Sequence, residues 1–138
     1  LVVDLNHRVR QAMAEGASQG TTRAEVERLG FAAFFRFTAE HPALYRIIRQ
    51  AEFVSPEILQ LHYERLTSGY VAGLRQAMAD GEIDDGDPEL LAWALMGIGE
   101  LVGMRWILWA GRDELPPDIL EELGTIVART IGSRNGST

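Results

Sequence analysis

The 138-residue sequence contains no cysteine, which excludes a disulfide scaffold, a thiolate zinc site and a cysteine nucleophile. Lysine is also missing, and all thirteen basic residues are arginine. Together with twenty acidic residues they give a formal net charge of −7. DNA binding depends largely on neutralising phosphates with basic groups, so these residues alone are predicted to bind DNA poorly.

Sequence signatures of catalysis and nucleotide binding are missing too, because no P-loop, GxGxxG, HExxH or GxSxG pattern occurs. The three histidines, His7, His41 and His62, fall on different predicted helices or helix boundaries. No pair of them stands at a recognised metal-ligand spacing. We therefore expect no metal site, no cofactor and no enzymatic activity.

One segment, residues 90–110, is apolar enough to raise the question of a membrane span. It contains Glu100 and Arg105, however, and charges near the centre of a bilayer are costly. No signal-peptide pattern opens the sequence. We expect a buried helix of a soluble cytoplasmic protein with no membrane partner.

Apolar residues make up 46% of the sequence, enough to bury the core of a single domain covering residues 1–138. They recur at helical spacing, and no stretch alternates for long enough to indicate a strand. Proline, glycine and capping residues divide the chain into segments. The prediction is an all-α fold with helices over residues 2–15, 22–40, 42–50, 55–80, 87–110 and 116–132, and a flexible tail over 133–138.

The fourth predicted helix carries tyrosines and a histidine on an otherwise apolar face. A small-molecule pocket has this composition, but so do core tyrosines whose hydroxyls reach the surface, and both interpretations stay open. If a pocket exists, we expect it between the second, third, fourth and fifth helices. Its predicted lining is Phe34, Phe37, Tyr45, Ile48, Leu59, His62, Tyr63, Leu66, Tyr70, Met96, Glu100 and Met104.

Glu100 is the one acid in a long apolar stretch, and burying it unpaired would cost several kcal/mol. Two compensations are possible. Glu100 has a partner inside the protein, such as His62, Arg46, Arg49 or a tyrosine hydroxyl, or it orients the donor group of a ligand.

The fifth predicted helix is apolar almost all round, so both of its sides need to be covered. It is either a wholly internal central helix, or it turns one side to a partner molecule. The amphipathic sixth helix could pack on it as half of a four-helix bundle between two subunits. The predicted homodimer interface consists of Leu91, Ile98, Val102, Arg105, Trp109, Ile119, Leu123, Ile126 and Val127.

Several segments in this order resemble the TetR family of transcriptional repressors. They are His-Pro-Ala-Leu-Tyr-Arg-Ile-Ile (41–48), Ser-Pro-Glu-Ile-Leu (55–59), Asp-Gly-Glu-Ile (80–83), Asp-Pro-Glu-Leu-Leu-Ala (87–92) and Leu-Met-Gly-Ile-Gly-Glu-Leu-Val-Gly-Met-Arg-Trp (95–106). The resemblance covers nearly all of the chain. It implies a six-helix C-terminal domain with a long central apolar helix and a four-helix-bundle dimer interface.

TetR-family members begin with a three-helix DNA-binding head, and nothing in this sequence matches its helix-turn-helix. Residues 1–15 look like the end of the helix that joins head to body. The resemblance thus implies an effector-binding and dimerisation domain, whose small apolar or amphipathic ligand controls release of DNA by the head. Two alternatives stay open: a helical adaptor that dimerises without a ligand, and a small helical-pocket enzyme that uses Glu100 and His62 as acid and base.

Overall fold

The computed structural model describes residues 2–133, and within that range every regular element is helical. The predicted all-α class with six helices is confirmed. One of the helices is followed directly by a short π-helical turn. The elements are α1 (Val2–Ala17), α2 (Arg23–Glu40), α3 (Pro42–Val54), α4 (Pro56–Ala79), α5 (Pro88–Gly103), the π turn (Met104–Leu108) and α6 (Pro117–Ile131).

The helix ends follow the capping chemistry that the sequence indicates. Thr22 Oγ1 accepts a hydrogen bond from the backbone N–H of Glu25 at 3.2 Å and so caps α2. Asp87 caps α5 in the same way, accepting from the two backbone N–H groups that follow Pro88. Ser55, by contrast, makes no side-chain capping bond, and α3 continues to Val54 rather than ending near residue 50.

The last part of the fifth predicted helix differs from expectation. After Gly103 the helix widens into the π turn. The backbone N–H of Trp109 donates to the carbonyl of Met104 at 2.9 Å, and that of Arg112 to the carbonyl of Ile107 at 3.0 Å. Both bonds reach five residues back instead of four, which defines a π helix. Regular helix therefore does not extend to residue 110.

The central helix of the fold is α2, not α5 as predicted. Its phenylalanines, Phe31, Phe34, Phe35 and Phe37, are all buried. The glycines of α5 allow it to approach α2 closely, since a Cβ on Gly99 would lie only 2.9 Å from the ring of Phe31. The apolar residues of α5 thus pack against both α2 and α4.

The other side of α5 faces outward, which excludes the first of the two alternatives, a helix wholly internal to the chain. Leu90 and Leu101 are 68% and 64% exposed, and Trp93 is partly exposed beside them. The stretch Pro88–Leu108 is long and apolar enough to cross a membrane, with a mean hydropathy of 1.4. A core helix of a soluble protein meets the same criterion, so this observation carries little weight.

The last helix, α6, packs mainly on α2 rather than on α5 as predicted. Leu123 and Val127 are buried there and border a small cavity together with Phe31. Their assignment to a dimer interface is therefore wrong, because both belong to the core of the chain itself. The predicted flexible tail also begins too early, since Ser133 is buried and its N–H donates to the carbonyl of Ala128. Residues 134–138 of that tail lie outside the described range.

Candidate ligand-binding cavity

Side chains from α1 through α5 enclose a cavity at the point where these helices meet. Most of the predicted pocket residues line it: Phe34, Phe37, Tyr45, Ile48, His62, Tyr63, Leu66, Met96 and Glu100. Sequence reasoning missed Val9, Thr38 and Leu44, which complete the lining. Val9 belongs to the apolar stripe of α1, and this stripe was the signal that α1 also forms part of the wall.

Three predicted lining residues lie elsewhere. Leu59 packs half-buried against the core. Tyr70 stands seven residues beyond Tyr63, about 10 Å along the axis of α4, and there it contacts Glu27 instead. Met104 faces an open groove on the outer side of Tyr45. From the predicted face of α4, the cavity is thus lined by His62, Tyr63 and Leu66, which lie between Leu59 and Tyr70 along the helix axis.

His62 is held by Asn6 of α1, and both residues are buried. The amide Nδ2 of Asn6 donates to the ring Nδ1 of His62 at 3.0 Å and to its backbone carbonyl at 2.8 Å. Burial, with a smaller contribution from the charge of Arg10, lowers the pKa of His62 to about 4, so the ring is neutral at pH 7. Because Nδ1 accepts, the proton is assigned to Nε2. Among residues 2–133 this Nε2–H has no protein partner.

Thr38 contributes a second polar group without a partner. The residue is 2% exposed and lines the cavity from α2, directly after Phe37. No described residue forms a hydrogen bond with its hydroxyl. A hydroxyl both donates and accepts, so Thr38 presents the cavity with either function.

Glu100 binds a tyrosine hydroxyl, one of the partners that the sequence suggested. The hydroxyl of Tyr63 donates to Glu100 Oε1 at 2.6 Å, and the hydroxyl of Tyr45 donates to the Glu100 backbone carbonyl at 3.0 Å. Burial raises the pKa of both tyrosines, and the neighbouring carboxylate raises it further, so both hydroxyls keep their protons. The second carboxylate oxygen of Glu100 has no partner within the described part of the chain.

The free volume of the cavity is small. It holds about 30 Å³ of free space, which accommodates a water molecule. Small-molecule sites occupy roughly 300–1,000 Å³, so a ligand could enter only if side chains moved. Met96 is suited to such movement, since thioether side chains fill irregular spaces without strong rotamer preference.

A second polar cluster, which was not predicted from the sequence, lies about two helical turns further along α4. Glu27 is 1% exposed. Its Oε1 accepts hydrogen bonds from Arg23 Nη2 at 2.6 Å and from Arg23 Nε at 2.9 Å. Its other oxygen accepts from the hydroxyl of Tyr70. A Cβ on Gly73 would come within 2.6 Å of the Arg23 guanidinium, so this glycine makes room for the arginine. Burial raises the pKa of Glu27, while Arg23 and Tyr70 oppose the rise.

The remaining predicted interface residues divide by exposure. Three of them, Arg105, Trp109 and Ile126, are exposed. The other four are half-buried: Leu91, Ile98, Val102 and Ile119. The outermost apolar residues of α5, Leu90 and Leu101, were not in the predicted set. The exposed apolar face of α5 therefore lies at a different angle around the helix axis from the predicted interface residues.

Within residues 2–133, no group of three or more histidine, aspartate or glutamate side chains is placed to hold a metal ion. Comparison with known proteins finds no family model and no curated protein sequence that matches the chain. The resemblance to the TetR family accordingly remains a prediction based on the segments quoted above.

Proposed function

We propose that the chain is the effector-binding and dimerisation domain of a TetR-type transcriptional regulator of the cytoplasm, which contacts DNA only through a separate head. One observation carries this proposal. His62, Thr38 and Glu100 line a single apolar cavity, and each has a polar atom that makes no hydrogen bond to another described residue. Small-molecule sites have this composition, a mostly apolar wall with a few polar groups that can orient a ligand.

The contacts of α1 suggest how a ligand would act at a distance. Val9 lines the cavity, and Asn6 holds both the ring and the backbone of His62. A ligand that displaces His62 would therefore also shift or release α1. In the proposed regulator α1 leads to the DNA-binding head, so differential ligand affinity for two positions of α1 would bias the spacing of two heads on DNA.

The outward face of α5 supports the dimer. Leu90, Trp93 and Leu101 expose large apolar side chains along one helix, and Ile126 does so on α6. Contiguous apolar patches on soluble proteins commonly mark interaction sites. Two-fold symmetric pairing is the commonest oligomer, so a second copy of this chain is the proposed partner.

Ligand binding is tested with N-phenyl-1-naphthylamine, a neutral apolar amine whose fluorescence rises in apolar surroundings. We expect saturable binding by the purified protein and its loss in Val9→Phe, where the larger ring fills the cavity. Phe53→Glu, which alters an apolar side chain that is 86% exposed elsewhere, is the matched control and should bind normally. An unchanged affinity in Val9→Phe would contradict the cavity as the site.

The dimer is tested by sedimentation equilibrium. We expect the wild-type protein to be a dimer and the double variant Leu101→Glu/Ile126→Glu to be a monomer, because two charges would be buried without partners in each half of the interface. Phe53→Glu again serves as the control and should remain dimeric. A monomeric wild type would contradict the proposal, whereas a dimer that binds no amine would favour the ligand-free adaptor.

A further inference from the structure

An open groove of about 330 Å³ lies between α3 and the π turn, on the outer side of Tyr45. Its volume is within the range of small-molecule sites, unlike that of the smaller cavity between α1 and α5. One face of α3 forms one wall of the groove. The π turn and the residue after it form the opposite wall, which is apolar. The lining consists of Pro42, Tyr45, Arg46, Arg49, Met104, Leu108 and Trp109.

The π turn creates the apolar wall. In an α-helix, a residue five positions after Met104 would lie about 140° further round the axis. The π hydrogen bond from the Trp109 N–H to the Met104 carbonyl, at 2.9 Å, instead brings Trp109 round towards the side of Met104. The indole of Trp109 is 73% exposed and borders the groove. π turns are rare and occur frequently at functional sites.

The α3 wall carries two arginines that form no ion pair with any described residue. Arg46 and Arg49 are three residues apart, so they lie on one face of the helix and repel each other. Within residues 2–133, the one side-chain hydrogen bond of Arg49 runs from Nη2 to the thioether of Met104, at 3.4 Å. Across residues 2–133, Arg23 and Glu27 form the one ion pair. In a chain of net charge −7, an unpaired arginine couple beside an apolar wall indicates a site for an anion.

We propose that this groove binds a small organic carboxylate with an apolar body. Arginine guanidinium groups bind carboxylates through paired N–H donors, and Trp109, Leu108 and Met104 would cover the apolar body. This groove is a second site, apart from the cavity that binds the proposed effector, so the inference does not depend on the proposed function. Tyr45 connects the two sites, since it lines both groove and cavity and its hydroxyl binds the Glu100 backbone.

The test uses calorimetric titration of the intact protein with 2-naphthoate and with 2-naphthamide, a neutral molecule of nearly the same shape. We expect the carboxylate to bind at least tenfold more tightly. Arg46→Gln/Arg49→Gln should abolish that preference. The indole N–H resonance of Trp109 should shift during titration with naphthoate, and Trp109→Ala should weaken binding of both molecules.

The charge-matched control is Arg75→Gln/Arg129→Gln, which removes two exposed arginines of α4 and α6. It should keep the preference for naphthoate. Equal affinities for the two ligands, an equal loss in the control, or an unmoved Trp109 resonance would each overturn the inference. Binding of the naphthyl amine in the cavity is measured separately, so these results would leave the proposed function standing. Loss of the dimer in Trp109→Ala would also overturn the groove assignment, since it would return Trp109 to the predicted interface.

Discussion

Glu27 and Glu100 each accept a hydrogen bond from a tyrosine of α4, but their surroundings differ. Glu27 has an arginine on one oxygen and Tyr70 on the other, so its hydrogen-bonding capacity is met inside the protein. Glu100 has only Tyr63, and its second oxygen borders a cavity. The same residue pair thus builds a closed structural cluster at one level of α4 and an open polar site at another.

The structural cluster is expected to give the largest stability effect. Glu27→Leu leaves the Arg23 guanidinium and the Tyr70 hydroxyl without a partner, and breaking a buried pair costs about 3–5 kcal/mol. Urea denaturation measures the change in the free energy of unfolding. The matched variant Glu100→Leu removes a partner from Tyr63 alone and should cost about 1–2 kcal/mol.

Equal losses in the two leucine variants would remove the distinction between the clusters. If Glu27→Leu does not fold, Glu27→Gln provides the measurement, because the amide oxygen still accepts a hydrogen bond. That variant should lose less stability than Glu27→Leu but more than Glu100→Gln.

The open site is expected to respond to mild acid through His62. Its pKa is about 4 in the folded protein, against about 6.5 for an unperturbed histidine. Between these values the unfolded chain binds the proton and the folded chain does not, so stability falls as the pH falls from about 6.5 to 4. The pKa difference corresponds to about 2–3 kcal/mol at pH 4.5.

Urea denaturation at pH 7 and pH 4.5 measures this loss. His62→Gln should lose less stability than the wild type over the same interval, and the difference between the two proteins isolates the histidine from the carboxylates. Identical pH dependence in wild type and variant would show that His62 titrates normally and is not held neutral by burial and Asn6.

The comparison of the clusters also shows what the sequence can predict. Helix count and most helix ends followed from local signals, such as the Asp87 cap and the glycines after α4 and α6. Periodicity likewise placed His62, Tyr63 and Glu100 on surfaces that meet. Such signals act within a few residues along the chain, which is why a single sequence carries them.

Longer-range features were missed because they depend on packing between helices. The burial of Glu27 follows from the central position of α2, whereas the i, i+4 pairing with Arg23 is equally typical of an exposed helix face. The interface assignment of Leu123 and Val127 failed for the same reason. Their apolar stripe predicts contact with something, but α2 of the same chain covers it.

The smallest stability effect is expected for Glu100→Gln, and it separates the two roles of this residue. Tyr63 can still donate to the amide oxygen, and no arginine loses a partner, so the free energy of unfolding should change by less than about 1 kcal/mol.

The N–H of N-phenyl-1-naphthylamine would donate to the free carboxylate oxygen, and a charged acceptor binds more strongly than a neutral one. Affinity for the amine should therefore fall about three- to tenfold, measured by fluorescence titration. Glu121→Gln, an exposed substitution on α6 with the same change in charge, should leave both quantities unchanged. A large loss of stability with unaltered affinity would make Glu100 a structural residue like Glu27, and the cavity would then lose the acceptor that distinguishes it from the core.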